Sequence, residues 1–180
     1  MGRTGPNAAG KGEVARLLEE RGYTYHSLSD VIREECERRG LPTTRDNLVL
    51  IGNEIRRNEG VDGLVSRLAA RLQLPAVIDS IRNPGEVEAL RRIEGFVLLA
   101  VTAPDDLRFA RLRARRRAGD VDTLEAFRDN EARENSGDRD RQRIRDTVAM
   151  ADATVVNDGD LTVLATRLQA ALDALAAPTK

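Results

Sequence analysis

Short apolar runs alternate along the chain with longer stretches in which apolar residues recur every three or four positions. The first pattern reads as buried strand and the second as amphipathic helix. Val14, Leu17 and Leu18 form a stripe with Glu19 and Glu20 facing outward, and Gly22 is a stop. Tyr23 to His26 reads as a short strand. Ser27 or Ser29 then caps a helix that runs through Val31 and Ile32 to Arg39 and ends at Gly40. After a loop at Leu41-Pro42-Thr43, Thr44 caps a helix over Asp46 to Asn58 with Leu48, Ile51 and Ile55 on one face. Gly60 breaks it, and Leu64, Leu68 and Leu72 continue a second helix.

Pro75 to Asp79 reads as a short buried strand ending in an acid, and Pro84 to Arg92 as a helix with Val87 and Leu90 inward. Phe96 to Val101 is the clearest strand, a continuous apolar run of the kind found in parallel sheets. Asp105 to Arg117, Leu124 to Asn135 and Arg141 to Met150 follow as charged helices. The whole region 105–145 is polar enough to act as a mobile flap. Ala153 to Val156 is a last strand and Leu161 to Leu175 a closing amphipathic helix. Strands alternating with helices predict an α/β fold with a parallel sheet in one domain over residues 1–180.

One element is short. Only Met1-Gly2-Arg3-Thr4 is available for a strand before the glycine-rich run, whereas a buried strand has about five or six residues. Either this strand is a stub or the true start lies upstream of Met1; we favour the second.

Composition narrows the function classes. A net charge of -1 and 3% aromatic residues leave little for a nucleic-acid coat. The single histidine, His26, and the single cysteine, Cys36, exclude an internal disulfide and a Cys- or His-based metal site. Cys36, among Glu and Arg, reads as a surface thiol. No apolar run is long enough to span a bilayer and no signal peptide is present, so a cytoplasmic location is expected.

Candidate chemistry starts at Gly5-Pro6-Asn7-Ala8-Ala9-Gly10-Lys11-Gly12, a G-x-x-x-x-G-K run. Such a run turns backbone N–H groups inward around an anion at the start of a helix, while one lysine reaches the outer phosphates. Of 29 basic residues 27 are arginine, and Lys11 is the only lysine apart from Lys180. A compact ammonium is not interchangeable with a guanidinium at a crowded phosphate. The plainer alternative is a glycine-rich turn that only caps a helix.

In parallel sheets ligands lie beyond the carboxyl ends of the strands. Here those ends carry Asp30 with Arg33, Asp79 with Arg82, and Asn157-Asp158-Gly159. Acids there hold Mg²⁺ directly or through its waters, and arginines fork onto a phosphate. Taken singly, Asp79 reads equally as a helix cap, Asp30 as a first-turn acid, and Arg33 and Arg82 as solvated surface. Arg113, Arg115, Arg116 and Arg117 form a dense cationic cluster suited to a lid that closes on nucleotide, or to a solvated basic face.

These residues resemble the adenylate-kinase-like branch of the P-loop kinases, and most closely the archaeal-type family described as adenylate-kinase-related or dephospho-CoA-kinase-related. The resemblance runs through Thr4 to Ala15, Leu28 to Glu35, Gly52 to Arg57, Val77 to Arg82, Phe127 to Glu134 and Ala151 to Gly159, nearly the whole chain in order. It implies a five-stranded parallel sheet with a helical acceptor-binding insert, about residues 28–73, and an Arg-rich lid, about residues 113–137.

It also implies roles. Gly5, Asn7, Ala8, Ala9, Gly10, Lys11, Gly12 and Glu13 would bind ATP, with Asn157 beside the nucleobase. Asp30 and Asp79 would hold Mg²⁺ through water. Arg33, Arg56 or Arg57, and Arg82 would bind the acceptor, and Arg115, Arg116, Arg117 and Arg133 would serve the lid. Two positions depart from the pattern. Gly12 cannot offer the hydroxyl that most P-loop proteins place on Mg²⁺, although adenylate kinases share that glycine. Glu13 stands where adenylate kinases carry Thr, and its carboxylate would repel phosphates unless it turns away or meets the metal. The expectation is a Mg-ATP-dependent phosphotransferase acting on a small phosphorylated acceptor, with Lys11, Arg82, Arg115, Arg116 and Arg133 catalytic. The alternative is a regulatory module that binds nucleotide with little or no kinase activity.

Overall fold

The computed structural model describes residues 1–115, 120–135 and 140–177. Five strands form one parallel sheet: β1 (Gly2–Thr4), β2 (Thr24–Ser27), β3 (Ala76–Asp79), β4 (Leu98–Thr102) and β5 (Ala153–Val156). Their order is β2-β3-β1-β4-β5, so the chain crosses over between non-adjacent strands and β1 lies in the centre. At three residues β1 is indeed short. It is pinned on both edges, with Gly2 in register with Ile78 of β3 and with Leu98 of β4.

Nine described helices cover the two faces: α1 (Lys11–Glu19), α2 (Leu28–Arg38), α3 (Arg45–Glu59), α4 (Gly63–Ala69), α5 (Pro84–Leu90), α6 (Asp105–Arg115), α7 (Leu124–Asn135), α8 (Ile144–Ala149) and α9 (Leu161–Ala176). Alternation along the strands divides the core in two. Val77, Leu99, Val101 and Val155 pack under α1 and α9 with Val14, Leu18, Leu164 and Leu168. Ile78 and Leu98 face the other way, against Leu28, Ile32, Ile51, Ile55, Leu64 and Leu68 of α2, α3 and α4. Each such side chain, fully buried, contributes about 1.5–3 kcal/mol.

Three sequence expectations are corrected. Phe96 precedes the strand: its N–H closes a turn onto Ile93, and β4 starts at Leu98, whose N–H is taken by Asp152. The helix expected from Arg141 begins at Ile144, because the Arg143 N–H is spent on the Arg82 carbonyl. Cys36 is fully buried on the inner face of α2 rather than a surface thiol, since the Val31/Ile32 stripe continues through it. The polar stretch 105–145 holds buried anchors among its described residues, Arg108, Leu112, Phe127 and Ile144. Among the described residues no helix is long and apolar enough to cross a membrane.

Candidate active site

The glycine-rich run folds into a tight loop between β1 and α1. Gly5 has φ +138°, and a Cβ there would meet the Val101 carbonyl oxygen at 2.0 Å. Gly10, at φ +92°, caps α1, and a Cβ there would meet Asn157 Nδ2 at 1.9 Å. Ala8 also has positive φ, at 58°, a conformation that costs an L-residue roughly 1–2 kcal/mol. Asn157, buried at the end of β5, donates from Nδ2 to the Ala9 carbonyl at 3.0 Å and so braces the loop from behind.

Lys11 Nζ donates to the carbonyls of Gly5 and Pro6 at 2.8 and 2.7 Å. Burial, and then the nearby Arg82, push its pKa down to about 7, with Asp79 pulling the other way. Asp79 ends β3. Its Oδ1 accepts from the Ser80 N–H at 2.6 Å and its Oδ2 from the Tyr25 hydroxyl at 3.1 Å. Arg3 Nη2 lies 2.7 Å from that same Oδ2. Burial works to raise the Asp79 pKa, but Arg3 and Lys11 outweigh it and hold the carboxyl below its usual range. The same burial, with Asp79 next, lifts the Tyr25 phenol to about 12.

Lys11, Asp79, Arg82, Arg111, Arg115 and Asn157 line an open cleft of about 910 Å³ together with loop residues 7–13. A second cleft of about 310 Å³ adjoins it toward α2 and α3, with Ile32, Leu48 and Val49 beside Arg45. Asn7, Ser29, Arg33, Ser80, Arg82 and Arg115 line both. Arg82 thus stands on the wall shared by the two clefts.

Helix α6 presents three arginines to the loop and to Asn157 at i, i+3 and i+7, one helical face. Arg108 Nη1 donates to the Asn7 carbonyl at 3.2 Å and to Glu131, Nη2 holds Asp105 and Glu131, and the guanidinium lies 5.0 Å from the Phe127 ring centre. Arg111 donates to the carbonyl and the side-chain oxygen of Asn157. Arg115 pairs with Asp120 at 2.9 Å and reaches Asn7 Oδ1 at 3.3 Å.

Of the other sequence candidates, several are held by neighbouring side chains. Asp30 pairs with Arg33 on the surface of α2 and lines neither cleft. Arg56 is at the floor of the second cleft, but its buried guanidinium is held by Glu86 at 2.8 Å. Arg57 pairs with Asp140. Arg133 lines a separate groove between α3 and α7 and donates to Asn130. Glu13 turns along α1 to Arg16 at 3.4 Å, and a Cβ on Gly12 would meet open space. Arg116 and Arg117 fall outside the described residues. Sequence reading missed Arg3, Arg108, Arg111 and Tyr25. The α6 spacing was a usable signal for the second and third; Arg3 left none, because its partner is 76 positions away.

A family model described as an AAA domain matches residues 4–142. The UPF0200 protein of Pyrococcus abyssi is 34% identical over 165 residues, 86% of this chain and 85% of that protein. The UPF0200 protein of Methanosarcina barkeri is 36% identical over 138 residues, 73% of this chain and 74% of that protein. The chain belongs to this AAA-domain family and to the UPF0200 proteins. It spans 48% of another relative, the UPF0200/UPF0201 protein of Archaeoglobus fulgidus, at 34% identity over 84% of its own length. Among solved structures, TT1252 from Thermus thermophilus superposes with a TM-score of 0.60 at 23% identity, covering 98% of this chain and 97% of that one. Shikimate kinase from Bacteroides thetaiotaomicron does so with 0.62 at 14% identity, covering 97% and 96%. The UPF0200 chain therefore has the P-loop kinase fold, with five parallel strands and helices on both faces.

Proposed function

We propose that this chain is an ATP-dependent phosphotransferase whose acceptor is a small phosphorylated molecule, a nucleotide or nucleoside monophosphate, in the manner of the adenylate-kinase-like branch or of dephospho-CoA kinases. The observation that carries the reading is the pair of adjoining clefts that share Arg33, Arg82 and Arg115. The larger cleft, beside the glycine loop, would take the triphosphate of ATP, and the smaller one the acceptor. Residues 28–73 would then be the acceptor insert and 113–137 the lid, and the substrates would be those of the cytoplasm.

Transfer between two phosphates calls for positioning and charge stabilisation rather than a nucleophile from the protein. Lys11 would leave its carbonyl partners for the γ-phosphate. Arg82 would orient donor and acceptor from the shared wall, and Arg33 would hold the acceptor phosphate. Arg115 would exchange Asp120 for phosphate oxygens as the lid closes.

The donor set fits magnesium held through its waters. Asp79 is ionised in the cleft, but both its oxygens already have partners, and Gly12 adds no hydroxyl. When bound with the nucleotide, the metal would neutralise charge developing on the phosphates. Asp79 would order its water shell, while Asp30 would first have to part from Arg33.

The test is phosphoryl transfer from ATP across a panel of nucleoside monophosphates and dephospho-CoA, with binding measured in parallel. We expect ATP and one acceptor to bind together, and Lys11→Ala to slow transfer by about 100-fold or more. Transfer unchanged by Lys11→Ala overturns the reading. One nucleotide bound alone, without transfer, favours the regulatory module instead.

A further inference from the structure

Arg3 is the most unusual residue of the sheet. It lies in the central strand, has no exposed surface, and its Nε and Nη1 lack a hydrogen-bond partner among the described residues. Among the described residues its compensation is the Asp79 carboxylate, 2.7 Å from Nη2. A guanidinium in an apolar interior is costly unless an anion and hydrogen bonds satisfy it. Its neighbour across β4 is Leu99, and Val77 and Leu99 share its face. An apolar side chain at position 3 would match that setting at far lower cost. The pairing of Gly2 with Ile78 sets Arg3 beside Asp79, so the backbone register itself delivers the cation to this acid.

We propose that Arg3 is the built-in counter-cation of Asp79, and that the cleft accordingly takes up a nucleoside triphosphate as readily without a divalent cation as with one. The inference rests on the reading of the loop as a triphosphate site. An unpaired carboxylate next to Lys11 would repel an arriving polyanion, and a metal ion would be needed to screen it. With Arg3 in place that repulsion is already offset. Asp79 is further saturated by Ser80 and Tyr25, and Asp30 is occupied by Arg33. Among the described residues no group of three or more His, Cys, Asp or Glu side chains is arranged to hold a metal ion. Lys11, Arg82, Arg111 and Arg115 supply the remaining charge for phosphate. Arg3 does not line the cleft, so it acts through Asp79 as a positioning residue, and divalent metal belongs to the transfer step alone.

Calorimetric titration of ATP, once with excess Mg²⁺ and once with EDTA, tests this on the intact chain. For the wild type the two dissociation constants should agree within about threefold. Arg3→Met should bind about tenfold or more weakly in EDTA, with Mg²⁺ restoring most of the loss, and Arg3→Lys should keep the wild-type ratio. That ratio separates counter-charge from a merely structural role, which would weaken binding equally in both buffers. Wild-type binding that is tenfold or more weaker in EDTA overturns the proposal and leaves the phosphotransferase reading intact; this arm stands even where Arg3→Met does not fold. Failure to bind ATP in either buffer overturns both.

Discussion

At the scale of single residues, Lys11 is the strongly shifted cation of the glycine loop. Its pKa near 7 reflects an enclosed ammonium facing Arg82 with no anion at hand beyond Asp79. A phosphate beside it would restore the ordinary value, so nucleotide should bind with uptake of a proton above pH 7. At pH 8 calorimetry in buffers of different ionisation heat should find nearly one proton taken up, about 0.9, and Lys11→Met should abolish the uptake. The sign for the free protein follows from linkage. The folded pKa is lowered from 10.5, so the charged lysine opposes folding below about pH 7, and that penalty fades as pH rises toward 10.5. The thermal stability of Lys11→Met relative to wild type should therefore shrink across that range. Gly10 gives a second check. Gly10→Ala combines an unfavourable positive φ, roughly 1–2 kcal/mol, with a collision on Asn157. Asn157→Ala should relieve the collision but not the backbone strain, so the double variant should recover only part of the stability lost, as read from urea unfolding. Lys11 and Gly10 were readable in the chain, because the glycine-rich run is local; the brace from Asn157 to Ala9 was not, because the two are 148 positions apart. Arg3 was not, because only strand pairing makes it a neighbour of Asp79.

At the scale of elements, two buried carboxylates organise what packs around the clefts. Glu86 completes the capping box of α5, accepts the backbone N–H groups of Arg82 and Asn83, and pairs with Arg56 of α3. Arg56, expected at the acceptor, therefore fastens α3 to the loop that carries Arg82. Arg56→Met should destabilise the fold by about 3–5 kcal/mol in chemical denaturation, because it strands a buried charge. Replacing Glu86 by Gln in the same chain should return much of that loss. Glu35 of α2 receives Arg38, Arg39 and Arg67, and these contacts hold its carboxyl far below the usual range against the pull of burial. This ties α2 to α4, and Arg39 extends the tie to Glu54 of α3. The start of α3 was legible from its Thr44 cap, whose rule is local. The charge pattern did not show which arginine turns inward, since Arg56 and Arg57 are adjacent and only helix phase separates buried from exposed.

At the scale of the whole molecule, the strand order gathers loops from remote parts of the chain at one edge of the sheet. One α6 arginine, Arg108, bridges that edge to Glu131 of α7, and Asp105 beside it pairs with Arg128 of the same helix. Arg108→Leu breaks the bridge and frees the Asn7 carbonyl. ATP affinity should fall by about 10–100-fold, the worth of a charged hydrogen bond, while slowed hydrogen exchange on nucleotide binding should no longer extend from the loop to α7. The fold class was legible because β3, β4 and β5 are separate apolar runs between helical stretches, whereas β1 and β2 carry polar residues and show only by their place in the alternation. The two-cleft arrangement was not, since it arises where α2, α3 and α6 converge. Tyr25 carries a last consequence. The chain has no tryptophan and only two tyrosines, and one of them hydrogen-bonds through its phenol to the acid at the cleft. Ultraviolet emission from the unlabelled protein is thus half tuned to that carboxylate, and filling the cleft should change its intensity without any dye or tag.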